Sequence, residues 1–176
     1  QFLVAAESLP SEGIIRIAMG LVYRRLGRWE EAISAFEQAA ELDPKSQDPK
    51  SNLGDVLAAQ KRFAEAERMY EQALTIAPDV VDTFRLNVWN LLYWKGATQE
   101  AREFLESCPK QDHFYVISTK AWCDYYDREY KDTLVQLEDR IFDSPSYESR
   151  RQLLLGCAYL QLNRREAARS ALESVV

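Results

Sequence analysis

The segment Gly20–Pro44, GLVYRRLGRWEEAISAFEQAAELDP, contains a pattern of glycine, alanine and aromatic residues that recurs along the chain. In this segment the pattern consists of Gly20, Tyr23, Gly27, Trp29, Ala32, Phe36, Ala39 and Pro44. It returns at a spacing of 34 residues (54 − 20) as Gly54, Leu57, Lys61, Phe63, Ala66, Tyr70, Ala73 and Pro78. A truncated copy, which consists of Phe2, Ala5 and Pro10, lies before the copy that begins at Gly20. A fixed period of this length indicates an array of stacked repeats, not a single globular core.

Each residue type in the pattern has a packing role. Gly20 and Gly54 lie in the middle of predicted helices, where glycine costs about 1 kcal/mol relative to alanine. We therefore expect a neighbouring helix to approach closely there, with Phe36 and Tyr70 filling the remaining space. Gly27 can adopt a positive φ where the first helix must end. The proline after each second helix ends that helix, because the residue before a proline avoids the helical region.

The pattern resembles the tetratricopeptide repeat, a helix–turn–helix unit of 34 residues, and the match is most specific over residues 13–80. The resemblance implies an all-α fold, a right-handed α-solenoid of antiparallel helix pairs. We expect a single array over residues 1–176 with eleven helices and no sheet. Residues 1–9 are expected to form the second helix of an incomplete repeat. A partial repeat over residues 1–12 is followed by repeats at about 13–46, 47–80, 81–111, 112–146 and 147–176.

The third repeat departs from the pattern. Gly96 and Ala101 match the turn glycine and the second-helix alanine only if the first helix contains one extra residue. In that case either Trp89 or Val88 takes the place of the mid-helix glycine. The fourth repeat keeps few residues of the pattern, with Ala121 in the glycine position, Thr133 in the alanine position and Leu137 in the aromatic position. The fifth recovers the pattern with Gly156, Ala168 and Leu172, and its turn residue is Asn163.

Composition and charge exclude several classes of function. The chain has 28 acidic and 22 basic residues, a formal net charge of −6, so we expect no affinity for nucleic acids or acidic membranes. No apolar run approaches the roughly 20 residues that span a bilayer. The cysteines Cys108, Cys123 and Cys157 are scattered and odd in number, which is typical of apolar fillers in the reducing cytoplasm.

The two ends of the chain resemble cut ends. The sequence starts at Gln1 within a repeat and ends at Val176 without the polar capping helix that repeat arrays need for solubility. We therefore expect this array to be part of a longer protein.

The sequence contains no pattern of a catalytic or metal site. There is no phosphate-binding glycine loop, paired-cysteine spacing or nucleophile elbow. The single histidine, His113, is expected on the surface or at a helix start. Asp124 and Asp127 are the other titratable candidates near the expected binding surface. We predict a protein that is not an enzyme and that needs no cofactor or metal.

The resemblance implies where a partner would bind. In tetratricopeptide arrays the first helix of each pair lines a concave groove that holds an extended peptide or a partner helix. Such positions include Arg24 and Asp55, then Tyr115, Ser118, Trp122 and Tyr125, then Arg150, Leu153, Cys157 and Gln161. Aromatic and arginine side chains dominate binding hot spots. The predicted peptide-binding residues are Arg85, Trp89, Asn90, Tyr93, Trp94, Trp122, Tyr125 and Tyr126.

Two alternatives remain at this point. The aromatic side chains could pack between imperfect repeats instead of facing a partner. The function could also differ from that of a partner-binding scaffold: the segment 27–32 and the later Trp94-Lys95-Gly96 turn resemble arrays of bacterial signalling regulators. That resemblance implies a regulatory or self-association arm beside a cyclase, kinase or winged-helix domain. A chaperone-tail clamp is disfavoured, because Ile17 and Leu21 cannot donate to a terminal carboxylate.

Overall fold

The computed structural model describes residues 12–175, and this part of the chain contains ten α-helices and no strand. The predicted helix at residues 1–9 lies outside the described residues. The helices are α1 (Glu12–Arg25), α2 (Trp29–Leu42), α3 (Asp48–Ala59), α4 (Phe63–Ile76), α5 (Val81–Lys95), α6 (Thr98–Glu106), α7 (Phe114–Tyr126), α8 (Tyr130–Leu137), α9 (Pro145–Gln161) and α10 (Arg165–Glu173).

The helices pack as consecutive pairs, which confirms the all-α class. Helix α1 packs on α2, α3 on α4, α7 on α8 and α9 on α10, and successive pairs pack through α2 with α3 and α8 with α9. The chain divides into two compact bodies, an N-terminal body ending at Asn90 and a C-terminal body beginning at Leu91. None of the helices in the described part of the chain is both long and apolar enough to cross a membrane.

The mid-helix glycines of the N-terminal body lie against the large rings of the following helices. A β-carbon on Gly20 would lie 2.6 Å from Cε1 of Phe36, and one on Gly54 would lie 2.6 Å from Cε1 of Tyr70. Both rings are buried. The prediction that Phe36 and Tyr70 occupy equivalent places is therefore confirmed. The alanines of the pattern are fully buried around them: Ala32, Ala39, Ala66 and Ala73.

The C-terminal body repeats this packing with other side chains. Gly156 lies against Leu172, whose Cδ2 would be 2.6 Å from an added β-carbon. In the preceding pair, Ala121, Thr133 and Leu137 are fully buried, as expected for the glycine, alanine and aromatic positions. The core of this body is formed by Ile117, Ala121, Leu134, Leu137, Leu154, Leu155, Ala158 and Ala171.

The turns within most pairs share one backbone arrangement. Gly27 has φ +70°, and the next amide, that of Arg28, donates to the carbonyl of Tyr23 at 2.9 Å. Such a left-handed residue followed by a bond to the carbonyl five residues back ends the first helix. The same left-handed position is taken by Lys61, Arg128 and Asn163.

The third pair has a different turn, and this explains its register. The amide of Gly96 donates to the carbonyl of Leu92, four residues back, at 3.0 Å. The first helix is accordingly one residue longer before its turn, so the position equivalent to Gly54 is Val88. Val88 is 0% exposed, whereas Trp89 is only partly buried. Of the two alternatives that the sequence left open, the structure favours Val88.

Candidate functional site

The first helices of the N-terminal body are joined by an ion pair. Arg24 Nη1 lies 2.8 Å from Asp55 Oδ2, and Asp55 Oδ1 accepts a hydrogen bond from the hydroxyl of Tyr70 at 3.0 Å. Burial raises the pKa of Asp55, and the bonds from Tyr70 and Arg24 partly oppose that rise. Both Arg24 and Asp55 are predicted groove positions, but their charged groups form an ion pair with each other.

Three of the predicted peptide-binding residues lie on α5 in the N-terminal body. Arg85 Nη2 is 2.7 Å from Asp82 Oδ1, and Trp89 is partly buried. Asn90 is only 2% exposed, and its Nδ2 donates to the carbonyl oxygen of Phe63 at 3.0 Å. Asn90 is thus a buried residue that bonds to the first residue of α4.

In the C-terminal body the first helices α7 and α9 lie side by side. Arg150 Nη1 donates to the hydroxyl of Tyr115 at 3.3 Å, and Gln161 Nε2 donates to the hydroxyl of Tyr125 at 3.4 Å. The structure therefore brings together the groove positions that the sequence predicted separately in the last two repeats. Between these two contacts on α9, the Leu153 side chain is exposed.

Aromatic side chains at the end of α7 form a connected group. The ring centroid of Trp122 lies 5.5 Å from that of Tyr125 and 5.8 Å from that of Tyr126. Tyr125 also contacts Tyr130 on α8, at 5.3 Å between centroids. Trp122 and Tyr125 are partly buried against the core of this body, as the packing alternative predicted, whereas Tyr126 is 49% exposed.

The most exposed of the predicted aromatic residues lie at the end of α5. Tyr93 is 70% exposed and Trp94 is 40% exposed. Tyr93 and Tyr126 together line a cleft of about 380 Å³, which we call the tyrosine cleft. Its lining consists of Leu92, Tyr93, Gly96, Thr98, Tyr126 and Asp127. Beside it, Lys95 Nζ lies 4.6 Å from the ring centroid of Trp94.

One wall of the tyrosine cleft belongs to an ion-pair network around Arg102. The guanidinium lies 2.8 Å from Asp124, 2.7 Å from Asp127 and 3.7 Å from Glu129. Gln136 Nε2 also donates to Asp124. Burial lowers the pKa of Arg102, but the hydrogen bonds to Asp124 and Asp127 outweigh it, so the pKa is raised. The two aspartates singled out in the sequence therefore act as partners of an arginine.

His113 is the N-cap of α7. Its Nδ1 accepts a hydrogen bond from the backbone amide of Tyr115 at 3.1 Å, which confirms the predicted helix-start position. Within residues 12–175, no group of three or more histidine, cysteine, aspartate or glutamate side chains is placed so that it could hold a metal ion.

Comparison with protein families gives one consistent result. Models of the tetratricopeptide repeat match residues 11–79, 57–123 and 149–176. The peroxisomal targeting signal receptor of Saccharomyces cerevisiae is 27% identical over 143 residues, which are 81% of this chain and 23% of the receptor. The human protein O-mannosyl-transferase TMTC1 is 31% identical over 68 residues, 39% of this chain and 8% of that protein. The chain thus spans less than a quarter of the length of either relative.

Solved structures are similar along nearly the whole chain. TTC0263, a thermophilic TPR protein of Thermus thermophilus, has a TM-score of 0.71 at 16% identity, covering 92% of this chain and 91% of that one. YrrB, described as a TPR protein with an unusual peptide-binding site, has a TM-score of 0.58 at 20% identity, covering 99% of this chain and 90% of that one. MamA has a TM-score of 0.64 at 15% identity, covering 93% of this chain and 89% of that one. At these identities the similarity concerns the fold alone.

Proposed function

This chain belongs to the tetratricopeptide repeat family, and from that premise we propose that it is a protein–protein interaction scaffold. The proposed ligand is a peptide or partner segment held against the faces of the first helices. The observation that carries the proposal is the contact between α7 and α9, where Arg150 bonds to Tyr115 and Gln161 to Tyr125. Side chains from successive repeats thereby form one face along which an extended segment could run.

The proposed contact surface has its centre in the exposed aromatic residues of the C-terminal body. Tyr93, Trp94 and Tyr126 are exposed, and the partly buried Trp122 and Tyr125 contact the ring of Tyr126. Aromatic residues with exposed apolar area are the usual anchors of protein interfaces. We retain Arg85 and Trp89 as proposed contacts of the N-terminal body.

The relatives support a peptide-type partner. YrrB is described as having a peptide-binding site, and the yeast relative is named for a targeting signal. Those properties belong to those proteins, and the shared repeat architecture is the reason to propose a similar role here. Tetratricopeptide proteins are generally non-catalytic scaffolds. No feature described for residues 12–175 favours a regulatory or self-association arm, so we do not propose one.

We also propose that the protein works in a reducing compartment such as the cytoplasm. Its three cysteines, Cys108, Cys123 and Cys157, are all free, and the first two are buried. Burial raises the pKa of Cys123 to about 11, so this thiol stays protonated and unreactive. Such cysteines serve as small apolar side chains.

The proposed function can be tested by affinity capture from lysate of the source cells. The bait carries Tyr93→Ala, Trp94→Ala and Tyr126→Ala together. We expect it to lose partners that the wild-type bait retains. A matched control carries Val135→Ala and Ile141→Ala, which remove exposed side chains elsewhere in the same body. If the triple variant keeps its helical circular dichroism and captures the same proteins as the control, the proposed surface is wrong.

A further inference from the structure

We propose that the tyrosine cleft binds a cationic side chain, so that the partner segment carries a lysine or arginine at this point. This inference rests on the proposed function, because it names the chemistry of one contact within the proposed surface. It follows from three features of the cleft: its ring faces, its excess of carboxylates and its size.

The ring faces come from Tyr93 and Tyr126. Both side chains line the cleft and keep a large exposed area, 70% and 49%. The face of an aromatic ring carries negative potential and attracts a cation placed within roughly 6 Å of its centroid. Arginine and lysine have the apolar stem and the charged head that such a cleft requires.

The chain already uses the same contact within its own fold. The guanidinium of Arg28 lies 4.6 Å from the ring centroid of Tyr23, and that of Arg150 lies 5.7 Å from the ring centroid of Tyr115. In each case a tyrosine ring of this protein packs with an arginine. Tyr93 and Tyr126 line the tyrosine cleft with exposed side chains, so a cationic side chain from outside could make the same kind of contact there.

The charges beside the cleft favour a cation over an anion. Asp127 lines the cleft, and it belongs to a network in which three carboxylates surround the single guanidinium of Arg102. The network therefore has a formal charge of −2. With the adjacent Arg128, and with Lys95 beside the cleft and its ion-pair partner Glu100, the formal charge is −1 (−2 + 1 + 1 − 1). Asp127 Oδ1 is held by the hydroxyl of Thr98 at 2.8 Å, which fixes this carboxylate at the cleft wall. An acidic side chain or a terminal carboxylate would be repelled here.

The cleft is large enough to hold a single long side chain. Its volume of about 380 Å³ lies within the lower part of the range for small-ligand sites, roughly 300–1,000 Å³. Gly96 lines the cleft without a side chain of its own. The apolar surface of Leu92 is available to the methylene groups of the entering side chain, while the charged head reaches Asp127.

The test titrates small probes into the whole chain and follows the ring resonances of Tyr93 and Tyr126 by NMR. The probes are the N-acetyl methylamides of arginine, lysine, norleucine and glutamate, so that norleucine keeps the shape of lysine without its charge. We expect saturable shifts with arginine and lysine, at least about 5-fold weaker binding of norleucine, and no binding of glutamate. Raising the salt concentration should weaken arginine binding, because the carboxylates become screened.

Variants separate the contribution of the rings from that of the charge. Tyr126→Ala should weaken arginine binding by about 5- to 30-fold, whereas Tyr126→Phe should leave it within about 2-fold because the ring face remains. Glu129→Gln, at an exposed position of the network, should weaken arginine binding without affecting norleucine. Val135→Ala is the matched control and should change nothing.

The possible results distinguish this inference from the proposed function. Equal binding of norleucine and arginine, or preferred binding of glutamate, would overturn the cationic ligand even if the triple variant loses its partners. Unchanged arginine binding in folded Tyr126→Ala would also overturn it. Selective arginine binding together with unaltered partner capture would leave the cleft chemistry in place and contradict the proposed contact surface.

Discussion

The ring of Tyr70 occupies the space that a side chain on Gly54 would need, since an added β-carbon would lie 2.6 Å from Cε1 of the ring. Phe36 stands in the same relation to Gly20, and Leu172 to Gly156. The glycine and the large side chain are therefore one packing unit that recurs in successive repeats. This unit allows two helices to approach closely while the second helix keeps a large apolar side chain.

Gly54→Ala should therefore destabilise the protein even though alanine is the better helix former. Alanine gains about 1 kcal/mol of helix propensity, but overpacking a well-filled core costs about 1–3 kcal/mol. We expect a net loss in the free energy of unfolding, measured by urea denaturation. In a Tyr70→Val background, where the ring is absent, the same Gly54→Ala change should become neutral or stabilising. An equal loss in both backgrounds would contradict the steric explanation.

Substitutions at the left-handed turn residues should change stability in opposite directions, depending on whether glycine is introduced or removed. Lys61 and Arg128 have φ +62° and +65°, so replacing either with glycine should stabilise the protein by about 1 kcal/mol. Gly27→Ala should destabilise it by a similar amount, although no atom beyond Gly27 and its two chain neighbours lies within 4 Å of the added β-carbon. Thermal or urea unfolding of the three single variants would measure these effects. A loss of stability in Lys61→Gly would show that the lysine side chain contributes more than its backbone conformation costs.

Arg102→Met should destabilise the C-terminal body strongly. The substitution leaves the carboxylate of Asp124, which is largely buried, without its cationic partner, and breaking such a pair costs about 3 kcal/mol. Arg62→Met, which removes the exposed pair with Glu65, is the matched control and should have little effect. Unfolding in urea would compare the two. Similar small losses in both variants would mean that solvent, not Arg102, compensates the charge of Asp124.

The pKa of Asp55 predicts how stability depends on pH. Burial raises this pKa above the ordinary value of 3.8, so the folded state holds the proton more tightly than the unfolded state does. The stabilising contribution of Asp55 is then fully present below its unfolded pKa and is lost as pH rises through its folded pKa. As pH rises through this acidic range, we expect the free energy of unfolding of wild type to fall relative to that of Asp55→Asn. Near neutral pH the difference between the two proteins should be constant.

Denaturation of both proteins at pH values between about 4 and 7 would measure this difference, since the unfolded carboxyl titrates near pH 4. The opposite trend, with wild type gaining relative to Asp55→Asn as pH rises, would mean that Arg24 and Tyr70 outweigh burial.

Much of the fold could be predicted because repeats constrain one another. The positions of Phe36 and Tyr70 follow from the shared spacing, and the all-α class follows from the repeat of helix pairs. In the third repeat the spacing left Val88 and Trp89 open, because the extra residue could not be placed without knowing the turn. The bond from Gly96 to Leu92 decides it, and that bond depends on backbone geometry.

The candidate site was harder to predict, since it depends on which side chains meet across repeats. Asn90 has the residue type of a groove contact, yet the register places it in the core, where its amide bonds to Phe63. The pairing of Arg102 with Asp124 and Asp127 joins residues 22 and 25 positions apart (124 − 102 and 127 − 102), and no local pattern marks it. In a fixed 34-residue register, Asn90 is equivalent to the core residue Val56 (90 − 34). The repeat spacing in the sequence therefore already indicated that Asn90 is buried.

The packing of each helix against its near neighbours has a mechanical consequence. Because the described contacts join helices that are close in sequence, removing an outer pair uncovers the apolar face of the next pair but does not disturb the pairs beyond it. Under tension applied at its two ends, such a chain should lengthen in a series of steps, each releasing one hairpin of helices. It would then behave as an extensible tether that yields gradually and recoils when the load is removed.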